Sequence, residues 1–341
     1  MSKPTIIDLA KAAGVSPTTI SHAFSGRRPV DTETKERILK LAQEIGYHPS
    51  SMARGLRSGR TGTIAIASSM IASSMPFSVA AGPSRLGFLM EIAASAAMSA
   101  LPRNIALCLI PPLAPQSNLD SLGFDGVILV EPSAKDPLIA HFEARHTPIV
   151  SIGRVAGRAD IPSVDLRSGD TARMMLDHLR QMGSRHIALI LGAAERTSQL
   201  ETEAAYAAFC DGYGITPHLV RLDESGGEQV AQDATRDLLA AFPHLDGLLV
   251  PVDAFASGAL AAAHAMGRKV PQDLRLVTRY DGLRAKLARP GLTAIDLGLT
   301  EVAGLAVELL LARLDGTPAD VMAPWPRLVV RGSTDPGAGS G

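Results

Sequence analysis

The sequence has few cysteines and no long apolar segment. Among its 341 residues only Cys108 and Cys210 are cysteines, with no CxxC pair and no Cys/His cluster, which excludes a disulfide framework and a structural zinc site. No apolar run approaches the roughly 18 residues that a transmembrane helix needs, and the N-terminal MSKPTIIDLAKAAG has no signal-peptide pattern. We therefore expect a protein of the cytoplasm whose two cysteines are buried as apolar side chains.

Catalytic motifs are missing as well. There is no GxGxxG after a predicted strand, no P-loop, no GxSxG and no HExxH. Four histidines of the body lie scattered on predicted helices and turns, where a surface or helix-end position is typical: His178, His186, His218 and His264. We predict that the protein is not an enzyme, that it has no catalytic residues, and that it binds neither a cofactor nor a metal ion.

The formal net charge of −1 conceals an asymmetry along the chain. Residues 1–60 contain ten Lys and Arg against five Asp and Glu, so this head carries +5 and the remainder carries −6. A basic head on an acidic body indicates that the head, and not the body, binds a polyanion. The alternative, from charge alone, is an ordinary solvated helical surface.

Local signals in the head predict two short helices joined by a turn. Thr5 and Asp8 form a capping box for the first helix, and Gly14 ends it. Ser16 caps the second helix, whose first position is Pro17, where a missing N–H is tolerated. This arrangement is typical of a helix-turn-helix.

The second helix has one apolar and one polar face. Ile20, Ala23 and Phe24 form the apolar face, and the opposite face carries small polar groups. His22 can pair with a base edge in the major groove, whereas Thr19 and the free N–H groups of the helix suit phosphates. The alternative is that these are plain surface residues. We predict that the following residues contact DNA: Ser16, Pro17, Thr18, Thr19, Ser21 and His22.

A third helix is predicted over residues 32–45, followed by a turn around Tyr47 and a second basic segment. This segment, SSMARGLRSGR at 50–60, reads as a short helix capped by Ser50 with Ala53 and Leu56 on one face. A helix of one or two turns is not stable alone, so it needs a partner from elsewhere.

Beyond residue 62, short apolar runs alternate with helical patterns. Hydrophobic residues make up 46% of the chain and charged residues 20%, which is enough for a large core. Candidate strands cover 63–68, 104–111, 126–132, 148–154, 163–166, 186–192, 247–253 and 274–280, and candidate helices cover 86–101, 169–182, 201–213, 227–242, 254–266 and 301–314. Such alternation predicts parallel sheets covered on both faces, with binding at the carboxyl ends of the strands.

The run from Thr5 to Ile66 resembles the head and hinge of the LacI/GalR family of bacterial transcription regulators. In that family the hinge helices of two subunits pair on DNA, and a Leu enters the minor groove as an apolar wedge that kinks the duplex. The resemblance gives this role to Leu56 and the neighbouring minor-groove position to Arg57. It also implies DNA contacts by Tyr47, Ser50 and Arg54.

The motif TTISH is most similar to the purine-repressor branch of the family, which implies base-reading roles for Thr18 and His22. Pro17 departs from the pattern, because the best-known members carry a polar side chain there. The C-terminal DPGAGSG contains no heptads, so a tetramer-forming helix is absent. The resemblance therefore implies a homodimer on a palindromic operator.

The resemblance also implies the fold class: an α-helical helix-turn-helix head plus an α/β body, with two parallel-sheet subdomains of periplasmic-binding-protein-like type and a cleft between them. The expected divisions are a head over 1–48, a hinge helix over 49–60, a body over 61–332 and a disordered tail over 333–341. Within the body we expect a first subdomain at about 61–163 and 296–323, and a second at about 164–295 and 324–332.

The expected effector cleft departs from the family pattern. The usual sugar-binding Arg is replaced by Leu200 or Thr202 in GAAERTSQLETEAAY, and the Asn of A-N-D-x-x-A is replaced by Val252. TRYDG supplies Asp281, with Tyr280 in the other aligned place. We predict effector contacts by the following residues, although Phe77 equally suits a core position, Arg85 a surface position and Asp253 a helix cap: Phe77, Arg85, Arg154, Arg196, Ser198, Asp253 and Asp281.

These features predict a sequence-specific transcriptional regulator, a repressor in most members of the family, whose DNA affinity is changed by a sugar or related metabolite. Whether the effector releases the operator or promotes its binding stays open. The alternative is a regulator of the same fold whose body no longer binds a small molecule. Such a regulator responds to a protein partner or acts constitutively. The replaced Arg and Asn positions favour that alternative.

Overall fold

A computed structural model shows an N-terminal unit, 1–62, and a second compact unit, 63–341. The structure describes residues 4–25, 28–47, 60–69, 87–110, 119–316, 318–335 and 337. No helix in these ranges is long and apolar enough to span a membrane, and the same ranges contain no group of three or more His, Cys, Asp or Glu able to hold a metal ion.

The head consists of three helices: α1 (Ile6–Ala13), α2 (Pro17–Ser25) and α3 (Thr32–Ile45). The predicted capping box is present, with the Thr5 N–H donating to Asp8 at 2.8 Å. Gly14 and Gly46 end α1 and α3 in the left-handed region, at φ 66° and 68°, where glycine has no Cβ penalty. The predicted helices are therefore confirmed.

The core of the head lies where the three helices meet. Leu9 and Ile38 are fully buried and Ile20 is 1% exposed. One apolar face of each helix packs into this core, and the start of α2 lies outside it, with Pro17 and Thr18 exposed.

The body contains twelve strands and eight helices within the described ranges. The strands are β1 (Thr63–Ala67), β2 (Ala106–Leu109), β3 (Gly126–Val130), β4 (Ile149–Ile152), β5 (Ser163–Asp165), β6 (Ile187–Gly192), β7 (His218–Leu222), β8 (Gly247–Leu249), β9 (Arg275–Thr278), β10 (Thr293–Asp296), β11 (Val321–Met322) and β12 (Arg327–Val329). The helices are α4 (Gly87–Ala100), α5 (Pro137–Glu143), α6 (Ser168–Gln181), α7 (Thr197–Tyr213), α8 (Gly227–Ala241), α9 (Asp253–Ala265), α10 (Leu283–Leu287) and α11 (Leu299–Leu314).

The strands form two six-stranded sheets, in the orders β11-β5-β4-β3-β1-β2 and β12-β10-β9-β8-β6-β7. Every neighbouring pair is parallel except β10 with β12. Strands such as β3 and β6 are buried along their whole length, as expected for a parallel sheet covered on both faces. The predicted α/β body with two sheets is confirmed.

The chain crosses between the two sheets three times. It leaves the first sheet after β5, returns with α11, which packs against β3, β4 and α4, and crosses again between β11 and β12. Strand β5 pairs with β4 and β11 of the first sheet through Val164 and Asp165, so both residues belong to that sheet. The expected boundary at 163/164 therefore needs to move past Asp165.

Several elements differ from the sequence predictions. Helix α7 begins at Thr197 and not at residue 201. The candidate strands and helices did not include α5, α10, β7, β10, β11 and β12. Strand β7, HLVRL, lies at the edge of its sheet and alternates half-buried and exposed residues before the buried Leu222. It therefore lacks the continuous apolar run of the central strands. Cys210 is buried as expected, whereas Cys108 on edge strand β2 is only half-buried.

The predicted disordered tail begins too early. Ser333 and Thr334 are 0% and 1% exposed. Ser333 donates to the Leu276 carbonyl at 2.6 Å, and the hydroxyls of Thr334 and Thr293 lie 2.7 Å apart. These bonds hold the chain against β9 and β10, so residues 333 and 334 are an ordered part of the body.

Candidate DNA-binding surface and effector cleft

The start of α2 presents a polar surface. The Thr19 N–H donates to Ser16 Oγ at 3.1 Å, so Ser16 acts as the helix cap. Pro17 and Thr18 are exposed. Ser21 and His22 are half-buried on the side away from the core residues Ile20 and Ala23. This stretch therefore offers hydroxyls and an imidazole in one place.

Tyr47 lies elsewhere in the head. It is 9% exposed, and its ring centroid lies 5.9 Å from that of Phe24, so most of its surface belongs to the core. Its expected DNA contact stays a prediction. The other expected DNA contacts lie outside the described residues: Ser50, Arg54, Leu56 and Arg57.

A cleft in the body is formed where the carboxyl ends of strands from both sheets meet. Glu131 follows β3 of the first sheet, and Arg279 follows β9 of the second. The cavity measures about 70 Å³, room for a few water molecules. It is lined by Phe88, Glu131, Arg196, Ser198, Gln199, Glu224, Pro251, Val252, Asp253, Arg279, Tyr280 and Leu297.

The structure brings three of the seven predicted effector contacts together at this cavity: Arg196, Ser198 and Asp253. Arg154 is half exposed and pairs with Asp165 and Glu201. The Asp281 carboxylate is held by Arg331 at 2.6 Å, and Tyr280 faces the cavity in its place. Phe77 and Arg85 lie outside the described residues.

Arg196 is buried in a bidentate ion pair. Its Nη1 and Nη2 donate to the two carboxylate oxygens of Glu224 at 2.6 and 2.9 Å. Burial acts to lower the pKa of Arg196, but the bonds to Glu224 and its charge outweigh burial and raise it. Gly192 leaves room for this carboxylate, because a Cβ there would lie 2.1 Å from Glu224 Oε1.

A second buried ion pair joins the two sheets. Arg279 Nη2 donates to Glu131 Oε1 at 2.8 Å, and the Ser198 hydroxyl donates to Glu131 Oε2 at 3.1 Å. Burial acts to raise the pKa of Glu131, but the Arg279 and Arg196 charges and these bonds outweigh it and hold the pKa below its usual value. Glu131 is therefore ionised inside the cleft.

Asp253 is the least compensated acid of the cleft. Helix α9 begins at Asp253 itself with Val252 as its N-cap. The carboxylate accepts the neighbouring Ala254 N–H at 2.7 Å, and Arg284 Nε lies 3.6 Å away. Burial raises the pKa of Asp253 to about 6. The group thus changes charge near neutral pH and suits a ligand hydroxyl as donor or acceptor.

Sequence reasoning missed Glu131, Glu224 and Arg279. Glu131 and Arg279 are charged residues directly after apolar strands, LVE and VTR, which is the signal that marks the carboxyl edge of a parallel sheet. Glu224 follows the unrecognised strand β7, so no such signal was available for it.

Comparison with known proteins agrees with this two-part organisation. Residues 5–50 match bacterial regulatory proteins of the lacI family, and residues 176–334 match a periplasmic binding protein-like domain. The ribose operon repressor of Halalkalibacterium halodurans is 28% identical over 340 residues, which cover 98% of each chain. The HTH-type transcriptional repressor PurR of Edwardsiella ictaluri is 27% identical over 346 residues, covering 98% of this chain and 97% of that protein.

A solved structure has the same fold. The crystal structure of the lac repressor dimer bound to operator and the anti-inducer ONPF matches with a TM-score of 0.76 at 22% identity, covering 98% of this chain and 99% of that one. The N-terminal region is thus similar to the lacI family of bacterial regulatory proteins, residues 176–334 are similar to a periplasmic binding protein-like domain, and repressors at 27–28% identity span the whole chain.

Proposed function

We propose that the protein is a transcriptional repressor that binds a palindromic operator as a homodimer and changes its operator affinity with a small-molecule effector. The observation that carries this proposal is the polar start of α2, which the core of the head leaves facing outward. Pro17, Thr18, Ser21 and His22 are the groups that would enter the major groove, with Thr19 and the helix N–H groups at phosphates. Because bacterial operators lie in the cytoplasm, we place the protein there.

Exposed apolar side chains on the body support the dimer. Met98 and Leu101, at the end of α4, are 75% and 73% exposed, and Leu283 and Leu287 of α10 are 61% and 68% exposed. Large apolar groups gathered in such patches are typical of protein interfaces. A two-fold pairing through them would also bring two hinge segments to one palindromic site.

The cleft supports a small polar effector. The ribose operon repressor and the purine repressor among its relatives indicate a sugar or related metabolite, and the cleft offers carboxylates, a hydroxyl and guanidinium groups within partly apolar walls. A ligand that binds one arrangement of the two sheets better than the other shifts the balance between them. Through this shift it would permit or prevent hinge pairing and insertion of Leu56.

The test is selection of bound duplexes from a random DNA library by the full-length protein. We expect an enriched palindrome with a flexible pyrimidine–purine step at its centre. In the Leu56→Ala and Arg57→Ala variants, binding to this site should fall much more than binding to unrelated DNA, because only the specific complex carries the kink. Equal loss on both DNAs would remove the wedge role, and selection without any palindrome would contradict the dimeric operator.

A second candidate is a regulator that senses no small molecule. It is favoured by the cleft itself, whose interior is already occupied by the Arg196–Glu224 and Arg279–Glu131 pairs. Thermal denaturation with sugars, nucleosides and organic acids separates the two candidates, because a ligand that binds only the native state raises the melting temperature. A saturable rise with any of them excludes this second candidate.

A further inference from the structure

The Glu131 side chain forms hydrogen bonds across the cleft, from one half of the body to the other. The Glu131 backbone directly follows β3 of the first sheet. The two side chains that donate to Glu131 come from the half built on the second sheet, Arg279 directly after β9 and Ser198 in α7. A backbone bridge between Ser133 and Arg196 runs beside it and joins the same two halves. The side chain thus lies where a small anion between the two halves would lie.

The backbone and burial at this point indicate a constrained site. Glu131 has φ 47°, a left-handed conformation that non-glycine residues rarely adopt, and it is 5% exposed. Arg279 is 8% exposed and Gln199 6% exposed, and both line the cavity. Arg279 Nε and Gln199 Oε1 are buried without a hydrogen-bond partner among the described residues. The site therefore has one donor and one acceptor that do not bond to Glu131.

The charges of the cleft make Glu131 hard to replace by a neutral group. Arg196 is satisfied by both oxygens of Glu224, so the guanidinium that depends on Glu131 is that of Arg279. A buried cation without its partner is strongly unfavourable. If the Glu131 carboxylate leaves, only another anion restores the balance, and a planar carboxylate matches the guanidinium and the Ser198 hydroxyl.

We propose that Glu131 is the built-in occupant of an anion site formed by Arg279 and Ser198, that it holds the two halves of the body together without a bound molecule, and that the site takes a small carboxylate in its place. A ligand of this class, such as a hydroxy acid or sugar acid, competes with Glu131 for one guanidinium. Its entry moves Glu131 towards water and loosens the connection between the halves. Only this regulatory consequence rests on the proposed function.

The experiment measures melting of the full-length Glu131→Ala variant in sodium formate and in sodium chloride at equal ionic strength. We expect the substitution to lower the melting temperature by about 5–15 °C, because it leaves Arg279 buried and unpaired. Formate at about 50 mM should restore about 3 °C or more in a saturable manner, because it binds the native state alone. The wild type should show no such rise, since its site is filled.

Two variants serve as controls. Glu143→Ala removes a carboxylate that pairs with Arg158 on the surface and should not respond to formate. The double variant Glu131→Ala/Arg279→Met removes both charges and should melt above Glu131→Ala with no response to formate. If Glu131→Ala folds only when formate is present, its yield against formate concentration becomes the readout, and that dependence supports the same site.

The chemical class is tested with glycerate against glycerol, which differ in the carboxylate. We expect glycerate, and not glycerol, to raise the melting temperature of Glu131→Ala. Absence of a formate response in Glu131→Ala, or an equal response in the double variant, overturns the anion site. Equal effects of glycerate and glycerol overturn the ligand class. None of these measurements includes DNA. A failed operator selection would therefore not contradict the anion site, and a failed melting experiment would not contradict operator binding.

Discussion

His22 is the residue through which the head would read sequence. Its imidazole lies on the half-buried flank of α2, beside the exposed Thr18. We expect His22→Ala to weaken binding to the selected operator by about 1–3 kcal/mol, roughly 5- to 150-fold, because one base-edge contact is lost. The measurement is a fluorescence titration on the operator and on unrelated DNA.

Gln43→Ala provides the matched control, because Gln43 is an exposed neutral residue of α3. It should leave operator affinity within a factor of about two. If His22→Ala lowers affinity equally on both DNAs, His22 contacts the backbone and does not select a base.

Asp253 makes the stability of the body depend on pH. Because burial raises its pKa to about 6 from an ordinary value of 3.8, the folded state binds the proton more tightly, and stability falls as pH rises from about 4 through 6. We expect Asp253→Asn to raise the free energy of unfolding at pH 7.5 by about 1–2 kcal/mol. The difference from wild type should vanish near pH 4. Urea denaturation at both pH values checks this, and a difference independent of pH would contradict the assigned titration.

At the scale of elements, the contact between α8 and α9 depends on one glycine. A Cβ at Gly258 would lie 2.2 Å from the Glu228 carbonyl oxygen and 2.9 Å from the Gln232 nitrogen, so the two helix backbones touch there. We expect Gly258→Ala to destabilise the body by about 2–4 kcal/mol, because the helices must separate. Chemical denaturation measures this loss.

Gly212 of α7 gives the matched control. Apart from its own stretch of helix, no atom of the residues that the structure describes lies within 4 Å of the position that an added Cβ would take. Gly212→Ala should stabilise the body by about 0.5–1 kcal/mol through helix propensity. A similar change in stability in both variants would mean that the close approach at Gly258 does not determine the effect of an added Cβ.

At the scale of the whole molecule, the dimer is tested at α10. Leu287 is 68% exposed and Leu283 61% exposed on neighbouring turns of the same helix. If this patch is buried between subunits, Leu287→Asp places a charge in the interface and should raise the dimer dissociation constant at least about tenfold. Analytical ultracentrifugation over a concentration series measures it.

The comparison variant is Leu219→Asp, on edge strand β7, where the side chain is 37% exposed. It should leave the dissociation constant unchanged. An unchanged constant for Leu287→Asp as well would exclude α10 from the interface and leave the end of α4 as the place to test.

The helices of the head and the α/β order of the body follow from the order of residues along the chain. The head boundaries depend on bonds between near neighbours, such as Thr5 with Asp8 and Thr34 with the cap Asp31, and on glycines that tolerate the left-handed helix ends. Residues three apart along the chain meet in any helix, so these features can be read without knowing the tertiary fold.

The contents of the cleft, in contrast, depend on how the chain packs in three dimensions. Glu131 and Arg279 are 148 positions apart, and Arg196 and Glu224 are 28 apart across the edge strand β7, which the sequence pattern did not reveal. The same holds for Asp281, which pairs with Arg331 while Tyr280 faces the cavity. Local propensity carries no information about such partners, because they are brought together by the packing of strands and helices that lie far apart in the chain.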